Sequence, residues 1–262
     1  MTNTELIQFQ NKNNKTLRGI FVSKEGNKKI VVMVSGFERK ATTEKKFKAL
    51  SDGLVSKGVD CFRFDWEGLG LSDGDFSEFT VERLKKDLFL ALKEIRDRKD
   101  YESISLVSHS VSGCVAGLAR KEINWSKILL LGPALNQKAL LRYYFVKNKI
   151  KKQDPGLEID WHNFKDYLEE EEFKQSFKEG KLSKENYISA DYFRENAEKD
   201  YSLYFEDAEN VLLIQGDSDD KVPLESLGVD FPHKIIVKKG DHDLERPDMI
   251  IQWLPETLNF LT

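Results

Sequence analysis

The feature that most constrains this chain is an alternation of short, β-rich apolar runs with stretches that carry apolar residues at helical spacing. The runs fall at 17–23 (LRGIFVS), 29–35 (KIVVMVS), 60–65 (DCFRFD), 103–108 (SISLVS) and 127–132 (KILLLG). Between them lie helical patterns over 43–58 and 80–99. Thr80 stands as an N-cap for the second, three places before Arg83, so without the Glu or Gln of a full capping box. This rhythm predicts a mainly parallel sheet with helices packed on it.

After Gly132-Pro133 the texture changes. Residues 134–206 are helix-prone, rich in Lys, Glu and aromatics, and lack a continuous β run. Strand patterns return at 210–216 (NVLLIQG) and 233–239 (HKIIVKK), and 246–261 reads as a closing helix that Pro255 is expected to kink or break. The expected organisation is a core in two parts, 1–133 and 207–262, interrupted by a cap subdomain over 134–206. A length of 262 residues with 40% hydrophobic content is enough for a sizeable core. The net charge of −4, with Lys and Glu interleaved, excludes any global argument for nucleic acid or an anionic membrane surface. Cys61 and Cys114 sit in apolar settings and read as buried thiols of a reducing compartment. Residues 1–15 lack a signal-peptide run, and no apolar stretch is long enough to span a bilayer, so a soluble cytoplasmic protein is expected.

The segment Ser105–Gly117, SLVSHSVSGCVAG, passes from an apolar strand into helical spacing, with the turn between 108 and 112. A nucleophile elbow at this place strains its serine and needs small residues two places to either side. Ser110 has Ser108 and Ser112 there; Ser112 has Ser110 and Cys114 but lies further from the strand end. The same serines also suit a plain helix N-terminus. A serine nucleophile requires a base and an acid that orients it. Four histidines are available: His109 beside the serine, His162 in the middle region, His233 at a strand start, and His242 in the loop KKGDHDLERP before the last helix. Loops beyond the carboxyl ends of strands are where open α/β sheets place their sites, which favours His242. Its readings as an exposed loop residue, or as a metal ligand beside Asp241 and Asp243, stand as alternatives. The acid is expected after the penultimate strand, where IQGDSDDKVP offers Asp217, Asp219 and Asp220. A calcium loop is excluded there, because Val222 and Gly228 occupy the places that need glycine and glutamate.

The order serine, aspartate, histidine resembles the α/β-hydrolase superfamily over essentially the whole chain. IQGDSDDKVP is similar to the segment whose catalytic acid stands three residues after the glycine, which implies Asp219, and GDHD resembles the site of the catalytic histidine, His242. FDWEGLGLSDG (64–74) resembles the family's D-x-x-G-x-G-x-S segment through Asp65, Gly68, Gly70 and Ser72; a dinucleotide loop is excluded because Asp73 stands where its third glycine belongs. VMVSGFERK resembles the family's His-Gly segment with Ser35 in place of the histidine. The resemblance implies an α/β-hydrolase fold with a mostly parallel eight-stranded sheet and a helical cap inserted after the sixth strand. It implies a catalytic triad of Ser110, Asp219 and His242, and an oxyanion hole from the backbone N–H groups of Phe37 and Val111. The chain looks like the branch of feruloyl esterases, monoacylglycerol-lipase-like enzymes and serine aminopeptidases. SGF at 35–37, GLS at 70–72, EFT at 78–80, HDL at 242–244 and the serine at 112 are also similar to bacterial long-chain acyl thioesterases.

The expected function is hydrolysis of a carboxylic ester through an acyl-enzyme, without cofactor or metal, on a small-molecule substrate. Cleavage or transfer of long-chain acyl thioesters is the alternative, and a non-catalytic binding protein on the same scaffold is the rival from another class. The aromatics of 134–206, among them Tyr143, Tyr144, Trp161, Phe164, Tyr192 and Phe193, are expected mainly to form the cap's own small core. Substrate identity and oligomeric state are not legible.

Overall fold

The apolar runs in the middle of the chain are buried on both faces and pair in parallel, as a sheet covered on both sides by helices requires. A computed structural model describes residues 2–183, 186–206 and 208–262. Its strands are β1 (Thr2–Gln10), β2 (Thr16–Lys24), β3 (Lys29–Val34), β4 (Val59–Phe64), β5 (Ser103–His109), β6 (Ile128–Leu131), β7 (Lys181–Ser183), β8 (Asn186–Ile188), β9 (Val211–Gly216) and β10 (His233–Val237). All but β7 and β8 form one eight-stranded sheet in the order β1-β2-β4-β3-β5-β6-β9-β10. Pairing from β4 through β10 is parallel, and β2 runs antiparallel to both β1 and β4.

The helices are α1 (Lys45–Ser56), α2 (Val81–Arg98), α3 (Ser112–Ala119), α4 (Gln137–Gln153), α5 (Glu170–Gln175), α6 (Ala190–Asn196) and α7 (Pro247–Leu261). Alternation along β3 divides the core. Val31 and Met33 join Phe47, Leu50 and Leu54 of α1 and Trp253 of α7 on one face. Ile30, Val32 and Val34 join Leu84, Leu88 and Ala91 of α2 and Val115 of α3 on the other. Thr80 caps α2, its hydroxyl accepting from Arg83 N at 3.3 Å.

Three elements depart from the sequence reading. β1 went unplaced because it is largely polar; only Ile7 and Phe9 of its Thr2–Gln10 turn inward, and the rest faces out on an edge strand. The region between β6 and β9, read as helix-prone and without a continuous β run, contains the short antiparallel hairpin β7–β8. Finally, α7 is not broken at Pro255. The carbonyl that loses its partner there belongs to Ile251, 72% exposed and thus on the solvent side. Tyr143, Trp161 and Phe164 pack edge-on or tilted against one another beside Val146 and Ile159, a small aromatic core between β6 and β9. Cys61 and Cys114 are buried free thiols, and burial raises both thiol pKa values. Among the described residues no helix is long and apolar enough to cross a membrane.

Candidate active site

The strand β5 ends at His109 and α3 begins at Ser112, so the chain turns from strand to helix within two residues. That turn forces Ser110 to φ +57°, the left-handed region that a side chain with Cβ rarely occupies. Three backbone bonds hold it: Ser110 N donates to Leu131 O at 2.9 Å, and Ser110 O accepts from Gly113 N at 2.9 Å and Ala134 N at 3.1 Å. The loop after β3 is pressed against the same residue. A Cβ added to Gly36 would stand 2.6 Å from Ser110 Cβ, so only glycine fits.

His242 and Asp219 arrive from the carboxyl ends of β10 and β9. Their loops approach closely at Gly216, where an added Cβ would lie 2.2 Å from Gly240 O. Ser110 Oγ lies 2.9 Å from His242 Nε2, and His242 Nδ1 lies 2.8 Å from Asp219 Oδ2. A carboxylate only accepts, so Nδ1 carries the proton and Nε2 is left free to accept from the serine hydroxyl. Asp219 Oδ2 also accepts from Gln215 Nε2 at 3.0 Å, while Oδ1 accepts from Lys221 N at 3.0 Å and Val222 N at 2.8 Å. All three residues are buried.

The structure thus brings together the three side chains singled out as Ser110, Asp219 and His242. Ser112 is separated from them: it is fully buried, its hydroxyl donates to Ser35 O, and Trp66 Nε1 approaches it at 3.2 Å. Asp217 and Asp220 stay out on the loop, with exposed side chains. His162 is exposed, and His233 lies half-exposed at the start of β10. Among the described residues no cluster of acidic, histidine or cysteine side chains could hold a metal ion. The backbone N–H groups of Phe37 and Val111 donate to no protein acceptor among the described residues. The Phe37 ring is braced by Phe76, Phe79 and Tyr192 at centroid distances of 4.9, 5.1 and 5.3 Å.

Several residues around the triad went unread in the sequence. Gln215, a polar residue closing the apolar strand β9, is one whose position held a usable signal. His109 turns to the triad: its Nε2 lies 3.0 Å from His242 O, and the two rings are 5.0 Å apart. Burial, with the nearby Lys46 ammonium, holds the His109 pKa well below the usual histidine range, so it stays neutral. Lys46 is itself fully buried and pairs with Glu44 at 3.1 Å and Glu245 at 3.4 Å. Arg39 pairs with Glu44 at 3.0 Å and with Asp243, joining the loop after β3 to the loop that carries His242. Glu38, next to Phe37, accepts from Ser183 Oγ at 3.1 Å and Asn186 Nδ2 at 2.9 Å, so the hairpin β7–β8 is tied to the same loop.

A strained serine at a strand-to-helix turn, with the acid after the penultimate strand and the histidine after the last, defines an α/β hydrolase. The family described as "Serine aminopeptidase, S33" matches residues 25–225, and the chain belongs to it. Among solved structures, Est1E of Butyrivibrio proteoclasticus with ferulic acid bound superposes with a TM-score of 0.71 at 16% identity, covering 97% of this chain and 98% of that one. The Pyrococcus furiosus esterase Pf2001 superposes at 0.68 with 16% identity, covering 99% of this chain and 90% of its own. In sequence, an acyl transferase of Shewanella hanedai is 25% identical over 138 residues, 51% of this chain and 44% of that protein. A Mycoplasma pneumoniae protein assigned by name to the esterases and lipases is 30% identical over 141 residues, 52% of this chain and 47% of that protein. The alignments therefore span about half the length of these two relatives.

Proposed function

We propose that this chain is a serine hydrolase that cleaves a carboxylic ester through an acyl-enzyme. The observation that carries the reading is the continuous hydrogen-bonded chain Ser110–His242–Asp219, built on a strained turn. Ser110 Oγ attacks the acyl carbon while His242 Nε2 takes its proton; the C–O bond to the alcohol breaks, and the imidazolium returns that proton to the leaving oxygen. Water, deprotonated by the same nitrogen, then releases the acid and restores Ser110. Asp219 holds the tautomer and stabilises the imidazolium, and the free N–H groups of Phe37 and Val111 receive the oxyanion. In this reading residues 134–206 form a cap over a core of 1–133 and 207–262. The buried, unpaired thiols fit a reducing cytoplasm, which cell fractionation would test.

The test is intact-mass detection of a fluorophosphonate adduct together with turnover of 4-nitrophenyl butyrate. Wild type is expected to add one label per chain at Ser110, and Ser110→Ala to add none. Folded wild-type protein that takes no label and turns over no ester supports the binding-protein reading instead. The Shewanella acyl transferase match favours a second reading, in which the acyl group passes to an acceptor other than water; a long-chain acyl thioester is the donor this reading proposes. A panel of acyl-CoA thioesters set against the ester panel separates the two by kcat/KM.

A further inference from the structure

Two donors converge on one carbonyl beside the nucleophile. Ser112 Oγ donates to Ser35 O, and Trp66 Nε1 donates to the same oxygen at 2.8 Å. All three residues are fully buried. With both lone pairs of the Ser35 carbonyl engaged, the peptide leading into Gly36 cannot turn without leaving a buried donor unpaired. The loop is also tied to itself, Ser35 Oγ donating to Arg39 O at 2.7 Å and Arg39 N to Gly36 O at 3.2 Å.

The placement of this contact matters more than its existence. Ser112 follows Val111, whose N–H is one candidate oxyanion donor; Ser35 precedes Gly36 and Phe37, whose N–H is the other. The bond therefore runs from the start of α3 to the loop after β3, from one half of the oxyanion hole to the other. We infer that Ser112, backed by Trp66, is a positioning residue that sets the separation of the Phe37 and Val111 N–H groups. The inference rests on the acyl-enzyme reading above. It gives a physical reason for a serine, rather than a residue without a hydroxyl, two places after Ser110. Glycine has no hydroxyl to make this bond, which here holds the loop from α3.

The test uses kcat and KM for 4-nitrophenyl butyrate, with the inhibition constant of an alkyl trifluoromethyl ketone. The ketone carbon bonds to Ser110 Oγ, the serine proton passes to His242, and the ketone oxygen becomes an oxyanion in the hole. Ser112→Ala and Ser112→Gly are expected to lose about 10- to 100-fold in kcat, less than the loss of a whole oxyanion donor. KM should stay within about twofold, and ketone affinity should fall in parallel with kcat. Trp66→Phe, which deletes the N–H but also shrinks the buried indole to a phenyl ring, should move the same readouts in the same direction. The double variant should lose less than the product of the single losses, because both act on one carbonyl. A lowered Tm with unchanged kcat and ketone affinity would overturn the inference, as would a loss confined to KM. Should Trp66→Phe fail to fold, the two Ser112 variants decide the matter alone. Wild type that is neither labelled at Ser110 nor active on the ester overturns the acyl-enzyme reading, an outcome distinct from a labelled, active wild type with indifferent Ser112 variants.

Discussion

Asp219 and Asp87 are both carboxyl groups closed off from solvent, at 5% and 2% exposure, and their surroundings differ in every other respect. Asp219 faces four donors: two backbone N–H groups, the Gln215 amide and the His242 ring. Asp87, on the inner side of α2, has Oδ2 without a partner among the described residues. Its neighbour Glu67 is also an acid, and the cation nearby, Arg83, is engaged at 3.1 Å by Glu67 and again by Glu78. Burial first, then Glu67, push the Asp87 pKa up to about 7. Burial alone thus does not decide whether an acid is charged; the donors aimed at it do. One acid is ringed by donors, and the other is equipped to hold a proton.

The comparison breaks most visibly at Asp219. Asp219→Asn can donate its amide to Nδ1, which would move the ring proton to Nε2 and point it at Ser110. A fall in kcat of about 10⁴-fold is expected, with the fold intact. Steady-state turnover of 4-nitrophenyl butyrate measures it, and a loss below about tenfold would mean that Asp219 does not set the tautomer. Gln215→Leu is the finer probe. It removes one of the four donors and should cost about 10-fold in kcat, the scale of one hydrogen bond to a charged group. If kcat is unchanged, the two backbone N–H groups alone suffice to hold the carboxylate.

At Asp87 the expected effect is on stability, and its sign follows from the raised pKa. The folded state holds the proton more tightly than the unfolded chain, whose aspartate titrates near about 3.9. The stabilisation from this proton is fully present below about pH 4 and is lost as pH rises through about 7. Asp87→Asn removes the titration and keeps the shape. It should be more stable than wild type at pH 8, by on the order of 4 kcal/mol, with the difference shrinking towards pH 5. Urea unfolding at both pH values tests this, and a variant no more stable at pH 8 would show that the carboxylate finds a partner after all.

How legible these two environments were differs for a physical reason. The parallel core could be read because β3, β4, β5, β6 and β9 are buried on both faces; β3, β6 and β9 carry apolar runs of four or more residues, and β4 and β5 carry β-rich residues with buried polar ones among them. An edge strand such as β1 needs only two inward residues, so Thr2–Gln10 carried too little pattern to be placed. The same contrast holds at the site. Ser110, Asp219 and His242 sit at spacings and in loops that the chemistry demands, and these leave a trace in local sequence. The contacts that tension the site join distant segments: Ser112 to Ser35 across 77 residues, Trp66 to Ser35 across 31, and His109 to His242 across 133. Such pairings appear only once the strand order is known. The sequence suggested that serines 108 and 112 serve merely as small residues. For Ser108 nothing more is visible, since its hydroxyl has no partner among the described residues, whereas the Ser112 hydroxyl is fully engaged.

A third carboxylate lies between the two extremes and gives the smallest effect. Glu195 of α6 accepts from Val81 N at 2.7 Å and Glu82 N at 2.9 Å, so an acid from the insertion meets two of the free N–H groups that open α2. With Thr80 taking Arg83 N, the first turn of that helix is capped partly by its own sequence and partly by a residue more than a hundred positions away. Glu195→Gln keeps one carbonyl acceptor and removes the negative charge from the positive end of the helix dipole. A loss of about 0.5–1 kcal/mol is expected at low salt. The deficit should narrow as NaCl is added, because screening weakens the charge–dipole part and leaves the hydrogen bonds. Urea midpoints for both proteins at low and high salt measure it. A deficit that persists unchanged in high salt would assign the whole contribution to hydrogen-bond geometry, and would place Glu195 with Asp219, as an acid defined by its donors, rather than with Asp87.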